Sequence, residues 1–593
     1  MAKGLATNLR NMTTLAMTVL TSLLLLFIII NILNLGLSRG FAYAKNMLAS
    51  QRPIDLVFFL YVDFLRNWRY IFLNLGNFAR YPSFFLRNIL SFVIPFATYI
   101  AVFLKYRKQI LEWEPFQESS GEFANAHWAT VTEMKKAKLF EKKGFMLGKY
   151  KGQYLIEYSF QHILLFAPTG SGKGVGFVIP NLLFWDESVI VHDIKLENYE
   201  RTSGYRYSVM KQKVFLWNPA DQKGVTHCYN PMDWVARDMG GLVDDVQKIA
   251  KFLLPKEEFW TNEARALTVG LMLSLYADPS RPTTLGEVLR LIRSEDLAYS
   301  LAVMLDTFGG SIHPVSYMNL NAFLNKADKE RSGVCSTASS SLELWSNPFV
   351  DTATSKSHLN IGTFRTVPTS LFVGISPNNI ERLRPLLQIF YQQCATIFTN
   401  KMPTKSEKKG VLMLLDEFPT LGELNEIKIG IAYYRGYKVK LFLVVQDTEQ
   451  LKDIYKDAGM NSFFANSYYR ITFSANTQGT AAMISRLLGK MAVESTADKV
   501  KSKYIDLNPG AKDSTVRKVE RDLLKEQEIL TLPRDDEIIL IESNSPVRCK
   551  KIKYFEDKLF QKRVDMKMSY VPTQPVFIKS KEENNENIKE DKK

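Results

Sequence analysis

The chain is poor in the residues that build covalent or metal-held frameworks. Its 593 residues include four cysteines and six histidines. Cys228, Cys335, Cys394 and Cys549 stand far apart and form no C-x-x-C pair. That excludes a disulfide scaffold and a zinc ribbon, and the thiols read as reduced, in a cytoplasmic protein. The histidines are equally scattered; His162 and His192 border strand-like runs and are expected to pack or support rather than to ligate a metal. Acid is also in deficit, with 61 Asp and Glu against 76 Lys and Arg for a formal charge of +15. Such a balance suits anionic lipid headgroups or nucleic acid, and equally a solvated basic surface on a membrane protein.

Charge of either sign is missing from Asn11 to Ser38. Within that stretch, residues 13–37 are long enough to cross a bilayer as a helix. The run is too long for a cleavable leader and no small-residue cleavage site follows cleanly, so it reads as an uncleaved anchor. A second apolar run, Ile89 to Leu104, contains Pro95 and is bounded by Arg87 and by Lys105, Arg107 and Lys108. It is expected to form a second span, over 85–104, with a buried or interfacial helix as the alternative. The loop between, 38–84, carries Arg39, Lys45, Arg52, Arg66, Arg69 and Arg80, so the positive-inside rule alone does not place it outside. The glycine-rich stretch at 167–176, whose strand-turn-lysine-helix layout suits cytoplasmic ATP, does. The expectation is a cytoplasmic tail at 1–12, a periplasmic loop, and an aromatic-rich region at Phe58 to Phe85 lying at the outer interface.

The stretch that organises the rest is Phe166-Ala167-Pro168-Thr169-Gly170-Ser171-Gly172-Lys173-Gly174-Val175-Gly176. It follows the apolar run Ile163 to Phe166 and precedes a helical stretch, Val175 to Phe184, in which Pro180 is expected as a kink or an end. Strand, glycine-rich turn, lysine and helix form the layout of a phosphate-binding loop. Glycines let successive N–H groups curl toward one anion, the helix N-terminus adds partial positive charge, and Lys173 reaches the β- and γ-phosphates. Thr169, Gly170, Ser171, Gly172, Lys173, Gly174 and Val175 are therefore the candidate nucleotide-binding residues. Ala167 stands where the consensus has its first glycine, and Gly174 where Ser or Thr would bind Mg²⁺.

Around this loop the pattern is that of a mostly parallel α/β sheet. Short apolar runs at 188–191, 214–217, 369–375, 411–415, 439–445, 469–473 and 537–541 read as strands. Helical spacing without strand signals over 233–345 reads as an all-helical insertion, dividing a nucleotide-binding domain into 105–232 and 346–560. Residues 561–593 are expected to be a largely disordered tail, most clearly the Lys-, Glu- and Asn-rich end from Lys579.

Leu415-Asp416-Glu417 closes a buried strand with two acids. That is where a phosphate-loop enzyme places the acid that holds Mg²⁺, Asp416, and the one that orients and deprotonates water, Glu417. Gln446 ends the next strand, positioned to sense the γ-phosphate. Arg435, on the connection between those strands, is a candidate to reach a neighbouring subunit's γ-phosphate, in competition with Arg201, Arg206, Arg470 and Arg486.

Ala167 to Gly176 resembles the phosphate loop of type IV secretion coupling proteins, the TraG-type ATPases, in which Gly after the lysine is usual. His192-Asp193-Ile194-Lys195-Leu196-Glu197 resembles that family's D-x-K-x-E segment, with Leu196 where Gly is more usual. Asn230-Pro231-Met232 resembles its N-P turn, and Asp416-Glu417-Phe418-Pro419 its acidic motif. Arg435-Gly436-Tyr437 and Gln446 resemble its R-G-Y and glutamine motifs, and the steps of 18 and 29 residues from Glu417 fit. The resemblance covers roughly residues 120 to 550. It implies a RecA-like P-loop NTPase domain with an inserted all-alpha domain, behind a two-helix anchor in a bacterial inner membrane. It also implies ATP and Mg²⁺ as cofactors, a homo-hexamer, and Arg435 acting in trans. The partners implied are type IV secretion channel components, secreted protein effectors, relaxase-bound single-stranded DNA and membrane lipid. Three roles follow: a receptor for protein effectors, a conjugative DNA pump, and a docking scaffold without turnover.

Overall fold

Continuous apolar runs place the centre of the fold. The computed structural model describes residues 125–497, 515–567 and 570–575, and beyond them Pro82 alone. The spans expected at 13–37 and 85–104 and, Pro82 apart, the loop between them lie outside the described residues, as does the chain after residue 575. Among the described residues no helix is long and apolar enough to cross a membrane.

Eleven strands form one sheet. In chain order they are β1 (Phe145–Tyr150), β2 (Gln153–Glu157), β3 (His162–Phe166), β4 (Ser188–Ile194), β5 (Lys213–Trp217), β6 (Thr369–Ile375), β7 (Val411–Leu415), β8 (Val439–Val445) and β9 (Ser467–Thr472). After a separate antiparallel pair, β10 (Lys490–Ala497) with β11 (Thr515–Asp522), come β12 (Asp536–Ile541) and β13 (Val547–Lys550). The order across the large sheet is β2-β1-β13-β12-β9-β3-β8-β7-β4-β6-β5. From β9 to β5 every pairing is parallel; from β9 outward through β12, β13, β1 and β2 every pairing is antiparallel. The mixture has a simple cause. The parallel strands are buried on both faces and are built mostly from apolar side chains, as β3, β7 and β8 show. The antiparallel wing is joined through β1 and β13, which are some 400 residues apart in sequence and carry more polar residues.

Between β5 and β6 the described chain is helical. Helices run from Met239–Leu253 through Phe259–Ser274, Leu285–Ile292, Leu297–Phe308, Pro314–Leu324 and Asp328–Ser341 to Pro348–Ala353, the last of them beyond the boundary expected at 345. Their apolar faces join the same core as the sheet: Leu267, Leu271, Leu320 and Val334 belong to one cluster with Leu164, Ile190 and Leu441.

Two expectations gain detail. Pro180 lies where the helix after the loop changes character, two residues before its last residue, Leu182. Gly174–Val178 is a π-turn, in which the Ile179 N–H bonds back to Gly174 O, and Ile179–Leu182 continues as α-helix. Pro180 falls in the first turn of that second piece, where a missing N–H is tolerated. The part of the tail before residue 576 is also more ordered than composition suggested. Gln574 is buried, its backbone N–H bonds Gly224 O at 2.8 Å, and Asp565 pairs with Arg201 at 2.9 Å.

Candidate nucleotide site

Parallel pairing brings the candidate residues to one edge of the sheet. Phe166 is in register with Val445, and Leu415 with Leu443 and His192. Ala167, Gln446 and Asp416, which follow β3, β8 and β7, and Asp193, the last residue but one of β4, therefore lie at one end of the sheet. Ala167 is tied to this edge by its N–H on Val445 O at 2.9 Å.

The loop then folds as its glycines require. Ser171 N–H closes a turn on Pro168 O at 3.1 Å, with Gly170 at φ +77° in the position that excludes ordinary side chains. Gly172 lies at φ +83° and accepts a short 2.6 Å bond from Gly176 N–H. A Cβ added at Gly170, Gly172 or Gly174 would meet nothing within 4 Å, so this side of the loop is open. Thr169 and Gly170 are exposed. Ser171 Oγ is shielded from solvent without a hydrogen-bond partner, and the first N–H groups of the following helix have no intrahelical acceptor. An open, curled loop with orphaned donors fits a phosphate group. Val175, half-buried, instead faces the C-terminal segment, its carbonyl lying 3.5 Å from Tyr554 N.

Lys173 Nζ lies 3.1 Å from Asp416 Oδ1 and makes a short contact to Glu417 Oε1. Glu417 takes a left-handed backbone, φ +57°, at the start of the turn Phe418–Leu421, and Gln446 donates its side-chain amide to Glu417 Oε2 at 3.1 Å. Lys173, Asp416, Glu417 and Gln446 thus form one contiguous network. Burial pushes the Asp416 carboxyl up, against the pull of the Lys173 ammonium, and Glu417 adds to the rise.

Asp193 belongs to the same edge. Its carboxylate accepts Tyr199 N–H at 2.7 Å and Asn198 N–H at 3.3 Å, at the start of the helix Glu197–Ser208. Burial pushes it up to about 7, and the neighbouring Asp416 charge contributes. His192 is fully buried and held down at about 3 by burial, so it is neutral; its Nε2 lies 3.3 Å from Thr420 Oγ1. Lys195 and Leu196 follow at φ +85° and +64°. The position where glycine is more usual is thus a left-handed one, and Leu196 packs over Gly374, whose added Cβ would stand 2.4 Å from Leu196 Cδ2.

No group of three or more His, Cys, Asp or Glu among the described residues forms a metal cage. The donor set at this edge, one or two carboxylates beside an open phosphate loop, is of the kind Mg²⁺ takes when phosphates complete its shell.

Arg435 is not brought to this site. It is exposed, in the turn Tyr434–Tyr437 that precedes β8, and its charge is felt by His162 at the start of β3. That is the opposite edge of the sheet. The seven residues of β8 separate the two edges by about 20 Å at ~3.3 Å per residue. Two competitors are otherwise engaged. Arg206 is fully buried and bonds the Leu182, Trp185 and Glu187 carbonyls and Ser370, and Arg201 pairs with Asp565. Arg470 is half-buried inside β9, and Arg486 is exposed on the helix Gln478–Leu488.

A glycine-rich loop after a central parallel strand, facing an acid pair on the second strand over, defines a protein of the P-loop class. The particular family follows from comparison with known proteins. Residues 117–577 match the family described as type IV secretory system conjugative DNA transfer, and the chain belongs to that family. The conjugal transfer protein TraG of Escherichia coli is 30% identical over 446 residues, which cover 70% of each chain. Protein VirD4 of Rhizobium radiobacter is 29% identical over 466 residues, covering 75% of this chain and 66% of that one. Among solved structures, the fold matches the bacterial conjugative coupling protein TrwBdeltaN70 with a TM-score of 0.53 at 16% identity, over 79% of this chain and 98% of that one. It matches TrwB in complex with the ATP analogue ADPNP with the same score and identity, over 79% and 100%.

Sequence reasoning left two residues of this edge out of the candidate set. Asp193 had a usable signal in its place at a strand end within a D-x-K-x-E segment. Lys551, whose Nζ reaches Ser171 O at 3.1 Å, had none, since its link to the loop spans 380 residues.

Proposed function

We propose that this chain is a coupling-protein ATPase of a type IV secretion system, which uses Mg-ATP hydrolysis to pass cargo into the secretion channel. The observation that carries the reading is the network of Lys173, Asp416, Glu417 and Gln446 at one sheet edge, with Arg435 exposed at the other. A RecA-like motor working between subunits needs this division: the phosphate loop on one face, and the arginine facing the next subunit. A closed ring, proposed as a homo-hexamer, supplies such pairs.

In this mechanism Lys173 leaves the two acids and takes the β- and γ-phosphate charge. Glu417 accepts a proton from the water whose oxygen attacks the γ-phosphorus, while the bond to the β–γ bridging oxygen breaks and ADP leaves with that electron pair. Gln446 holds Glu417 in position for that transfer. Asp416 is the residue that would hold Mg²⁺, which supplies charge neutralisation between the phosphates when bound. Arg435 of the next subunit stabilises the charge that develops on the transferred group. Loss of the γ-phosphate releases that contact, and subunits then move relative to one another.

The proposed location is a bacterial inner membrane, anchored by spans at 13–37 and 85–104 with the sheet in the cytoplasm. Relaxase-bound single-stranded DNA is the cargo that the family's description favours, since the matched family is one of conjugative DNA transfer. Secreted protein effectors are the second reading, and a scaffold without turnover the third. The test is a substrate trap. Glu417→Gln is expressed in its native membrane, cross-linked, and everything retained is identified by mass spectrometry and nucleic-acid sequencing. Single-stranded DNA bearing a covalently attached protein supports the first cargo, and a defined protein set without DNA supports the second. Retention of neither overturns the cargo reading and leaves the scaffold.

A further inference from the structure

We infer that Lys551 is a second lysine of the phosphate loop, a positioning residue that holds the Ser171–Gly172 peptide from behind and so raises nucleotide affinity. The inference rests on the nucleotide reading above and deepens it.

Lys551 directly follows β13, on the antiparallel wing of the sheet. Its Nζ donates to Ser171 O at 3.1 Å and lies 3.9 Å from the centroid of the Phe473 ring. That ring is itself fixed, because the Phe473 N–H bonds Phe166 O, the last residue of β3, at 3.1 Å. The stem of Lys551 is anchored at both ends. Its backbone N–H bonds Asp535 O at 2.8 Å, and its Cβ lies against Gly176, where an added Cβ would stand 3.4 Å away. The residue is buried.

What surrounds the ammonium is informative. The acids nearby are committed elsewhere: Asp535 pairs with Lys553 at 2.8 Å, and Asp536 with Arg548 at 2.8 Å and with Lys550. Glu537 is buried beside Cys549, at 3.4 Å from its Sγ, and burial pushes its carboxyl up to about 8. Lys551 therefore makes its close contacts with a carbonyl and a ring face, and burial lowers its ammonium to about 8 against the more distant pull of Glu537, Asp535 and Asp536. A buried cation without a close ion pair is costly. An anion on the far side of the peptide it touches offsets that cost.

The peptide carries the effect across. In a planar trans peptide the carbonyl and the following N–H point in opposite directions. An ammonium on Ser171 O thus turns the Gly172 N–H away from Lys551, toward the open side of the loop. It also polarises the peptide, so that this N–H becomes a stronger donor. Lys173 meets phosphate directly; Lys551 acts through the backbone between them.

The experiment measures ADP binding and steady-state ATP turnover on the full-length chain. For Lys551→Met the dissociation constant for ADP should rise about tenfold, equivalent to ~1.4 kcal/mol. The KM for ATP should rise with it while kcat falls by a smaller factor, because a contact made equally in the ground and transition states is lost from KM rather than from kcat. Lys551→Arg should restore affinity, since a guanidinium both donates to the carbonyl and stacks on Phe473. A folded Lys551→Met that binds ADP as tightly as the parent protein overturns the inference. Should that variant not fold, Lys551→Gln, which removes the charge and keeps a donor, takes the same measurement with the same overturning result. Lys173→Ala separates the two levels. If it too binds ADP normally, the nucleotide reading fails; if it loses ADP while Lys551→Met keeps it, only the inference fails.

Discussion

Lys173 Nζ stands 3.1 Å from Asp416 Oδ1, so the phosphate-loop lysine and the proposed metal-holding acid neutralise each other across the sheet edge. Glu417 shares the same ammonium. A nucleotide therefore competes with two carboxylates for Lys173 before any chemistry begins.

That competition makes a prediction for Glu417→Gln. The amide has no charge to hold Lys173, so ATP should bind at least as tightly as in the parent protein. Hydrolysis should fall about 10²- to 10⁴-fold, the range for loss of a positioned general base. Equilibrium nucleotide binding and phosphate release, measured on the same preparation, check both halves.

Arg435 at the far edge of β8 makes a prediction about assembly. Arg435→Ala should lower turnover by about 10³-fold or more, as expected for a trans-acting arginine. Co-expressed with Lys173→Ala, it should recover activity. One subunit then keeps Lys173 and its neighbour keeps Arg435, so some interfaces are complete. A co-assembled mixture as inactive as each parent would contradict action in trans.

Gly174 can be tested directly for what it lacks. Neither a positive φ nor a close neighbour demands glycine there, because an added Cβ meets nothing within 4 Å. Gly174→Ser should therefore leave stability unchanged to within about 0.5 kcal/mol, as for an uncrowded surface position. The new hydroxyl sits where such loops usually present a Mg²⁺ ligand, so the Mg²⁺ concentration for half-maximal turnover should fall. A melting curve and a Mg²⁺ titration read the two effects.

Asp193 gives a pH dependence whose sign is fixed. Burial, with Asp416 adding to it against the N–H bonds from Asn198 and Tyr199, raises its folded value from 3.8 to about 7. The native state then holds its proton more tightly than the unfolded chain. The stability this confers is full below pH ~4 and is lost as pH rises through about 7. Asp193→Asn removes the titration. The stability of the parent protein minus that of the variant should fall between pH ~5 and ~8 in denaturant unfolding; a flat difference would contradict the assignment.

The parallel core was legible because burial on both faces leaves a local mark. Val411–Leu415, Val439–Val445 and Thr369–Ile375 are strands over the residues that their apolar runs marked. The acid pair and Gln446 were legible for the same reason, Asp416 and Gln446 each being the first polar residue after such a run and Glu417 the next. The wing was not. β1 and β2 carry Lys149, Gln153 and Glu157, and β1 is held in the sheet by β13, a partner no local pattern announces. Lys440 shows the limit within a readable strand. It is fully buried in β8 and neutralised by Glu157 of β2, a pairing that exists only once the sheet has formed. Arg206 likewise looked available as a helix arginine, and is spent on three backbone carbonyls and Ser370.

The central claim is that Lys173 serves ATP hydrolysis in the assembled protein. Its most direct test is steady-state phosphate release from Mg-ATP by the full-length oligomer, compared with Lys173→Ala purified in the same way. The account predicts turnover by the first and none above background by the second. Equal rates from both, or no turnover by an assembled parent protein that binds ATP, would contradict it.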